Sequence, residues 1–176
     1  MKSDGQRLKT IIFDCGRVIT FDQDAGLAAR FGAEVGGAAD LETLLELDMR
    51  SWFTINPETI AIVRRLKEQG YRLLILSNMN LEGKLRMLGQ ARYLDGEDWL
   101  ALFDEVIVSC DLKILKPEPA IYAACLGRAK AEARECLFID DNPVNVEAAQ
   151  AFGMKALVFT GAARLASSLR KEYGVL

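Results

Sequence analysis

The stretch Thr10-Ile11-Ile12-Phe13-Asp14-Cys15-Gly16-Arg17-Val18-Ile19 decides how the rest of the chain is read. Ile11, Ile12 and Phe13 form an unbroken apolar run that ends in one carboxylate. A strand buried on both faces of a sheet reads this way, whereas a half-exposed strand alternates apolar and polar residues. Two residues beyond Asp14, where a second carboxylate would complete an acid pair, stands Gly16. Four later runs share the continuous apolar character, and with Lys9 to Asp14 they make five expected strands: Tyr71 to Ser77, Asp104 to Ser109, Cys136 to Asp140 and Lys155 to Phe159.

Helical pattern fills the intervals and carries its own punctuation. Asn56-Pro57 offers an N-cap followed by Pro at the first helical position, and Gly70 closes that helix; Asn142-Pro143 and Gly153 frame VNVEAAQAF in the same way. A last helix is expected over Ala162 to Tyr173. Strand and helix in alternation predict an α/β fold, a doubly wound, Rossmann-like parallel sheet of about five strands. One segment departs from the pattern. Residues 21–56 hold two helical stretches, LAARF and LETLLELDMRSWF, joined by GAEVGGAAD. That length suits a small helical insert rather than an independent domain. The expected organisation is therefore a core of residues 1–20 and 57–176 interrupted by an insert at 21–56.

Composition narrows the function classes. With 51% hydrophobic and 27% charged residues in a chain of 176, the profile is that of a soluble globular protein. A net charge of -3 and the lack of a basic block argue against a nucleic-acid partner. The polar start MKSDGQRLKT is followed by too short an apolar run for a signal peptide or membrane span, so a cytoplasmic location is expected. Four cysteines without CxxC spacing and no histidine argue against zinc. Without histidine, proton transfer must fall to carboxylates, Lys, Tyr, Cys or water. Leu41, Leu44, Leu45, Trp52 and Phe53 make the insert apolar enough either to close over the core or to form a homodimer face.

In open parallel sheets, ligands bind outside the carboxyl ends of the strands. The polar residues collect there: Asp14 after the first strand, Ser77-Asn78 at the second, Lys116-Pro117 after the third and Asp140-Asp141 at the fourth. Each alone has an ordinary reading as a turn, cap or solvated residue; together they suit phosphoryl transfer with a divalent metal. Mg²⁺ takes one or two carboxylates, water and phosphate oxygens, and Asp14 and Asp141 can supply the carboxylates. An Asp14 oxygen can attack phosphorus, while Ser77, nearby backbone amides and Lys116 balance the charge on the transferring group.

These stretches resemble the four motifs of the haloacid-dehalogenase-like (HAD) hydrolase superfamily: IIFDCGRVI, LLILSNMN, LKILKPEPAIY and CLFIDDNPVN, in that order, covering about residues 1–20 and 57–160. The likeness is greatest to the sugar-phosphate phosphatase branch, with a shortened cap. It implies strand order 5-4-1-2-3 and a Mg²⁺-dependent hydrolase acting on a small phosphorylated metabolite. It implies that Asp14 is the nucleophile, Ser77 the phosphate-binding hydroxyl with Asn78 beside it, and Lys116 the charge-balancing lysine. Asp141 would bind the metal together with Asp14 and the Gly16 carbonyl, Asp140 would support Lys116 or the metal, and Asn145 would orient the site.

Three departures from the family pattern bear on activity. Gly16 replaces the aspartate that usually protonates the leaving oxygen, a contribution worth roughly 10²- to 10⁴-fold; water, Asp22 or Asp24 are the candidate substitutes. Arg17 and Lys113 stand where smaller residues are usual, Arg17 either as an exposed side chain against the insert or as an extra phosphate contact. The insert is short for a cap, and Trp52 and Phe53 are read as packing anchors before substrate stackers. Dehalogenases of the superfamily carry an aromatic residue at the Gly16 position and need no metal, which favours phosphatase chemistry. The alternative is a weak or inactive relative that binds phosphate or a protein in the same crevice.

Overall fold

The central strand is buried at every position, as its composition requires. The computed structural model describes residues 7–35, 37, 39–52, 54–89 and 98–176; Phe53 lies outside them. Five parallel strands, β1 (Thr10–Phe13), β2 (Arg72–Ser77), β3 (Glu105–Val108), β4 (Cys136–Asp140) and β5 (Lys155–Val158), lie in the order β3-β2-β1-β4-β5. This is the expected order read from the opposite edge, and each strand begins and ends within one residue of its expected limits.

Alternate β1 side chains enter two cores, one on each face of the sheet. Ile11 and Phe13 join Leu73, Ile75, Leu137 and Ile139; Ile12 joins Leu74, Leu76 and Phe138. The first core is covered by α3 (Pro57–Glu68) and α8 (Ala162–Lys171), the second by α6 (Pro119–Ala129) and α7 (Pro143–Ala151). Ile11, Ile12 and Phe13 have no exposed surface, and burying each such side chain contributes roughly 1.5–3 kcal/mol. Helices on both faces leave only the strand ends open for polar chemistry.

The expected caps form. Asn56 accepts a hydrogen bond from Thr59 N–H and Asn142 from Val144 N–H, which places the starts of α3 and α7. Gly70 and Gly153, after those helices, have φ of 83° and 95°, left-handed values that a side chain would resist. The last helix stops at Lys171, two residues before the expected Tyr173.

Between β1 and α3 the chain forms α1 (Ala25–Glu34) and α2 (Leu41–Trp52), which pack on each other. The legs of this segment are tied by an antiparallel bridge between Thr20 and Ile55, with Phe21 N–H donating to Thr54 O at 2.8 Å and Asn56 N–H to Ile19 O at 2.9 Å. Leu47 and Ser51 of α2 are buried, whereas Leu41 and Leu45 face outward. After β2 comes α4 (Leu81–Gly89), and after β3 the single turn α5 (Ser109–Leu112). Among the described residues, no helix is long and apolar enough to cross a membrane.

Candidate active site

The strand order reverses beside β1, between β2 and β4, which is where a doubly wound sheet opens a crevice. An open cleft of about 830 Å³ lies there, and Asp14, Ser77, Asn78, Lys116, Asp140, Asp141 and Asn145 all line it. In-register pairing explains the convergence: Phe13 faces Ile75 on one side and Ile139 on the other, so Asp14, Ser77 and Asp140 emerge from adjacent strand ends.

At the cleft floor, Lys116 Nζ donates to Asp14 Oδ1 at 2.8 Å, Leu76 O at 2.8 Å and Asp140 Oδ2 at 2.7 Å. These three acceptors match the three protons of the ammonium, and its side chain is 1% exposed. A buried lysine of this kind is stable only when paired. The Phe138 ring lies beneath it, 5.4 Å from Nζ. Asp140, fully buried, accepts from Lys116, Asn142 N–H and the Asn145 amide. Tyr122 OH in turn donates to Asn145 O at 2.9 Å. Asp140 and Asn145 thus orient Lys116 from behind.

Burial pushes the Asp14 carboxyl above its ordinary 3.8; Lys116 pulls it back down, and Asp140 adds to the rise. Carboxylate oxygens of Asp14, Asp140 and Asp141 all lie within 4.8 Å of one another. Both Asp140 oxygens are engaged by nitrogen donors, which leaves Asp14 and Asp141 as the carboxylates best able to meet an ion. An all-oxygen donor set of this kind fits a hard divalent cation such as Mg²⁺.

Asn78 lines the cleft and also binds the lysine loop. Its Nδ2 donates to Lys116 O at 2.9 Å and its Oδ1 accepts from Lys116 N–H at 2.8 Å. The amide is a clasp between the β2 end and the lysine loop. Gly16 is exposed, with nothing within 4 Å of where a Cβ would stand. The missing acid is therefore not dictated by space.

The residues after Gly16 take up other tasks. Arg17, at φ 60°, pairs with Asp22 and sits 3.6 Å from Asp141 Oδ2; smaller residues are usual at a left-handed position because they meet less steric resistance there. Arg17 leans on the insert through Asp22, the first of its two expectations, and its side chain also borders the cleft. Asp22 lines the cleft but is held by Arg17. Asp24 instead caps α1, accepting from Leu27 N–H at 2.9 Å, so it is committed to the helix terminus rather than the cleft. Lys113 ends α5 in a left-handed conformation, φ 56°, away from the cleft.

A second wall was not legible in the sequence. Phe21 and Trp52 from the insert, Met79 from the β2–α4 connection and Arg86 from α4 also line the cleft. Trp52 is 43% exposed and lies over the Arg86 guanidinium, 5.8 Å from ring centroid to Cζ; as a residue read first as a packing anchor, it is only half buried. Arg86 is fixed by Asp48 and Glu82, both at 2.7 Å. A helix directly after Ser77-Asn78 must start at the ligand-binding edge of the sheet, and that was the available signal for Arg86.

The sequence model for haloacid dehalogenase-like hydrolases matches residues 19–153, beginning just past the Asp14 turn. Bifunctional epoxide hydrolase 2 of Rattus norvegicus is 30% identical over 123 residues, 69% of this chain and 22% of that protein. A sesquiterpene phosphatase of Aspergillus oryzae is 31% identical over 114 residues, 65% of this chain and 55% of its own length. The chain thus spans about a fifth and about half of these two relatives. In fold it is similar to a HAD family enzyme of Bacteroides thetaiotaomicron solved in complex with magnesium and inorganic phosphate, with a TM-score of 0.66 at 16% identity, covering 86% of this chain and 93% of that one. Because the family match takes in most of the chain, including the strand ends that carry Ser77 and Asp140 and the loop that carries Lys116, the chain belongs to the haloacid dehalogenase-like hydrolases.

Proposed function

We propose that this protein is a Mg²⁺-dependent phosphomonoester hydrolase that carries the phosphoryl group on Asp14. The observation that carries the reading is Lys116 held between Asp14 and Asp140 at the crevice, with Asp141 completing a carboxylate cluster. The similarity to a fold bound to magnesium and phosphate supports it. Asp14, Asp141 and the Gly16 carbonyl would hold the ion, which when bound neutralises phosphate charge and lets an anionic nucleophile approach.

Asp14 attacks phosphorus to give an aspartyl phosphate as the bond to the leaving oxygen breaks and that oxygen takes a proton from solvent water; a second water then attacks the phosphorus, gives up a proton to solvent, releases inorganic phosphate and restores the carboxylate. Lys116 keeps Asp14 oriented and balances the equatorial oxygens together with Ser77 and the amides at the strand ends. Asn78 and Asp140 hold Lys116 in place. Residues 21–56 act as a partial cover. The substrate is a small phosphorylated metabolite.

A second reading, a weak enzyme or a phosphate-binding relative, is favoured by Gly16 and by the commitment of Asp22 and Asp24 elsewhere. Incubation with Mg²⁺ and p-nitrophenyl phosphate, whose leaving group needs little protonation, tests the first. Release of nitrophenol by the wild type and not by Asp14→Asn supports it; equal background from both sinks it. Parallel incubation with 2-chloropropionate tests dehalogenation, for which chloride release is the readout.

A further inference from the structure

We propose that Trp52 and Phe21 form a stacking subsite that selects phosphomonoesters whose leaving group is a flat aromatic ring. This rests on the phosphatase reading above and specifies its substrate class. Two aromatic residues stand exposed at the neck of the insert, Phe21 at 49% and Trp52 at 43%, and both line the cleft that holds Asp14 and Lys116. Exposed aromatics on a ligand cleft are expensive to leave in water and gain most from covering by a partner ring.

Trp52 is also preorganised. The Arg86 guanidinium lies against its ring and is itself clamped by Asp48 from α2 and Glu82 from α4. A ring backed by a fixed cation loses little freedom when a second ring stacks on it. Phe21 is fixed through its backbone, because its N–H donates to Thr54 O on the opposite leg of the neck. The Trp52 ring is thus backed by Arg86, and the Phe21 backbone is held by the tie that joins the insert to the sheet.

The chemistry of the walls favours a ring over a chain. Apart from Phe21, Trp52 and Met79 the cleft is mostly polar, so a long alkyl group would lie along hydrogen-bonding side chains. A single ring or fused ring pair covers the aromatic wall, and 830 Å³ leaves room for it beside a phosphate.

The test measures binding rather than turnover. Titrate the full chain with Mg²⁺ and either methylphosphonate or naphthylmethylphosphonate, following heat and tryptophan fluorescence; Trp99 is 1% exposed, so a ligand-dependent change reports on Trp52. The aryl compound should bind about tenfold or more tightly than the methyl one. Trp52→Ala and Phe21→Ala should each bring that ratio towards one without weakening methylphosphonate, and Trp52→Tyr should restore most of it. Equal affinity of the two compounds, or a ratio unmoved by either substitution, overturns the stacking subsite while leaving the phosphatase reading intact. Failure of both compounds to bind overturns the two together.

Discussion

Asn78 and Lys116 hold each other by two hydrogen bonds, amide to carbonyl at 2.9 Å and backbone N–H to amide oxygen at 2.8 Å. The lysine loop is thereby tied to the end of β2, and from there the ammonium meets Asp14 and Asp140. Asn78→Ala should lose both bonds and leave two backbone groups without their partner, at a cost of about 1–3 kcal/mol. Urea denaturation gives that difference; turnover should fall with little change in KM, since the amide acts through Lys116.

Asp14 holds a carboxyl in a buried position. Its carboxyl is raised above 3.8, first by burial and against the pull of Lys116. An acid with a raised folded pKa contributes its full stability below the unfolded value and loses it as pH rises through the folded one. In EDTA, Asp14→Asn should therefore have a higher Tm than the wild type at pH 7, with the gap narrowing as pH falls towards 3.8. Mg²⁺ should raise the Tm of the wild type, by the equivalent of about 2.7 kcal/mol at 100-fold excess over Kd, and should not raise that of Asp141→Ala.

Gly16 can be changed to aspartate without rearrangement, because no atom lies within 4 Å of the added Cβ and its φ is ordinary. Gly16→Asp should leave stability within about 0.5 kcal/mol. With an alkyl phosphate, whose oxygen must be protonated as it leaves, kcat should rise by roughly 10²-fold or more. The gain with p-nitrophenyl phosphate should be much smaller, and equal gains for both would argue against a missing acid.

Asp104 ties the start of β3 to its neighbours, accepting from Leu73 N–H at 2.9 Å and Lys67 Nζ at 2.7 Å. Burial pushes its carboxyl up, but the Leu73 bond and Lys67 outweigh burial and hold it below 3.8. A depressed acid contributes stability above the unfolded pKa and loses it as pH falls through the folded one. Asp104→Asn should cost on the order of 1 kcal/mol at pH 7, and the difference from wild type should shrink as pH falls below 3.8. Urea midpoints across that range check it.

Of the four free cysteines, Cys15, Cys125 and Cys136 are buried and Cys110 is partly exposed. Burial, and then the Asp14 charge, push the Cys15 thiol up to about 12, and burial does the same for Cys125. A thiolate is needed for reaction. A thiol reagent at pH 8 should therefore label Cys110 alone in the native protein, and all four after denaturation; mass spectrometry of the labelled peptides distinguishes the outcomes.

Local chemistry made much of the fold readable. Continuous apolar runs marked the strands to within a residue, since burial on both faces leaves no polar position, and Asn-Pro starts with glycine stops bounded α3 and α7. The carboxylates and lysine of the cleft were legible for a related reason, because parallel connectivity sends every strand end to one edge.

Side-chain direction was not legible, because it depends on partners remote in the chain. Asn78 turns to Lys116 across 38 residues, and Lys116 reaches Asp14 across 102. Asp22 and Asp24 looked equivalent as substitutes for the missing acid; an arginine and a helix terminus separated their fates. Trp52 looked like a core residue until Arg86, on a helix beyond β2, gave its ring a charged backing and left it open to the cleft. By itself the sequence determined which strands form and which polar groups gather at their ends, through hydrophobic periodicity and capping. Only the tertiary structure decided which of those groups are consumed in holding one another, because hydrogen-bond and ion-pair partners are chosen by proximity in space.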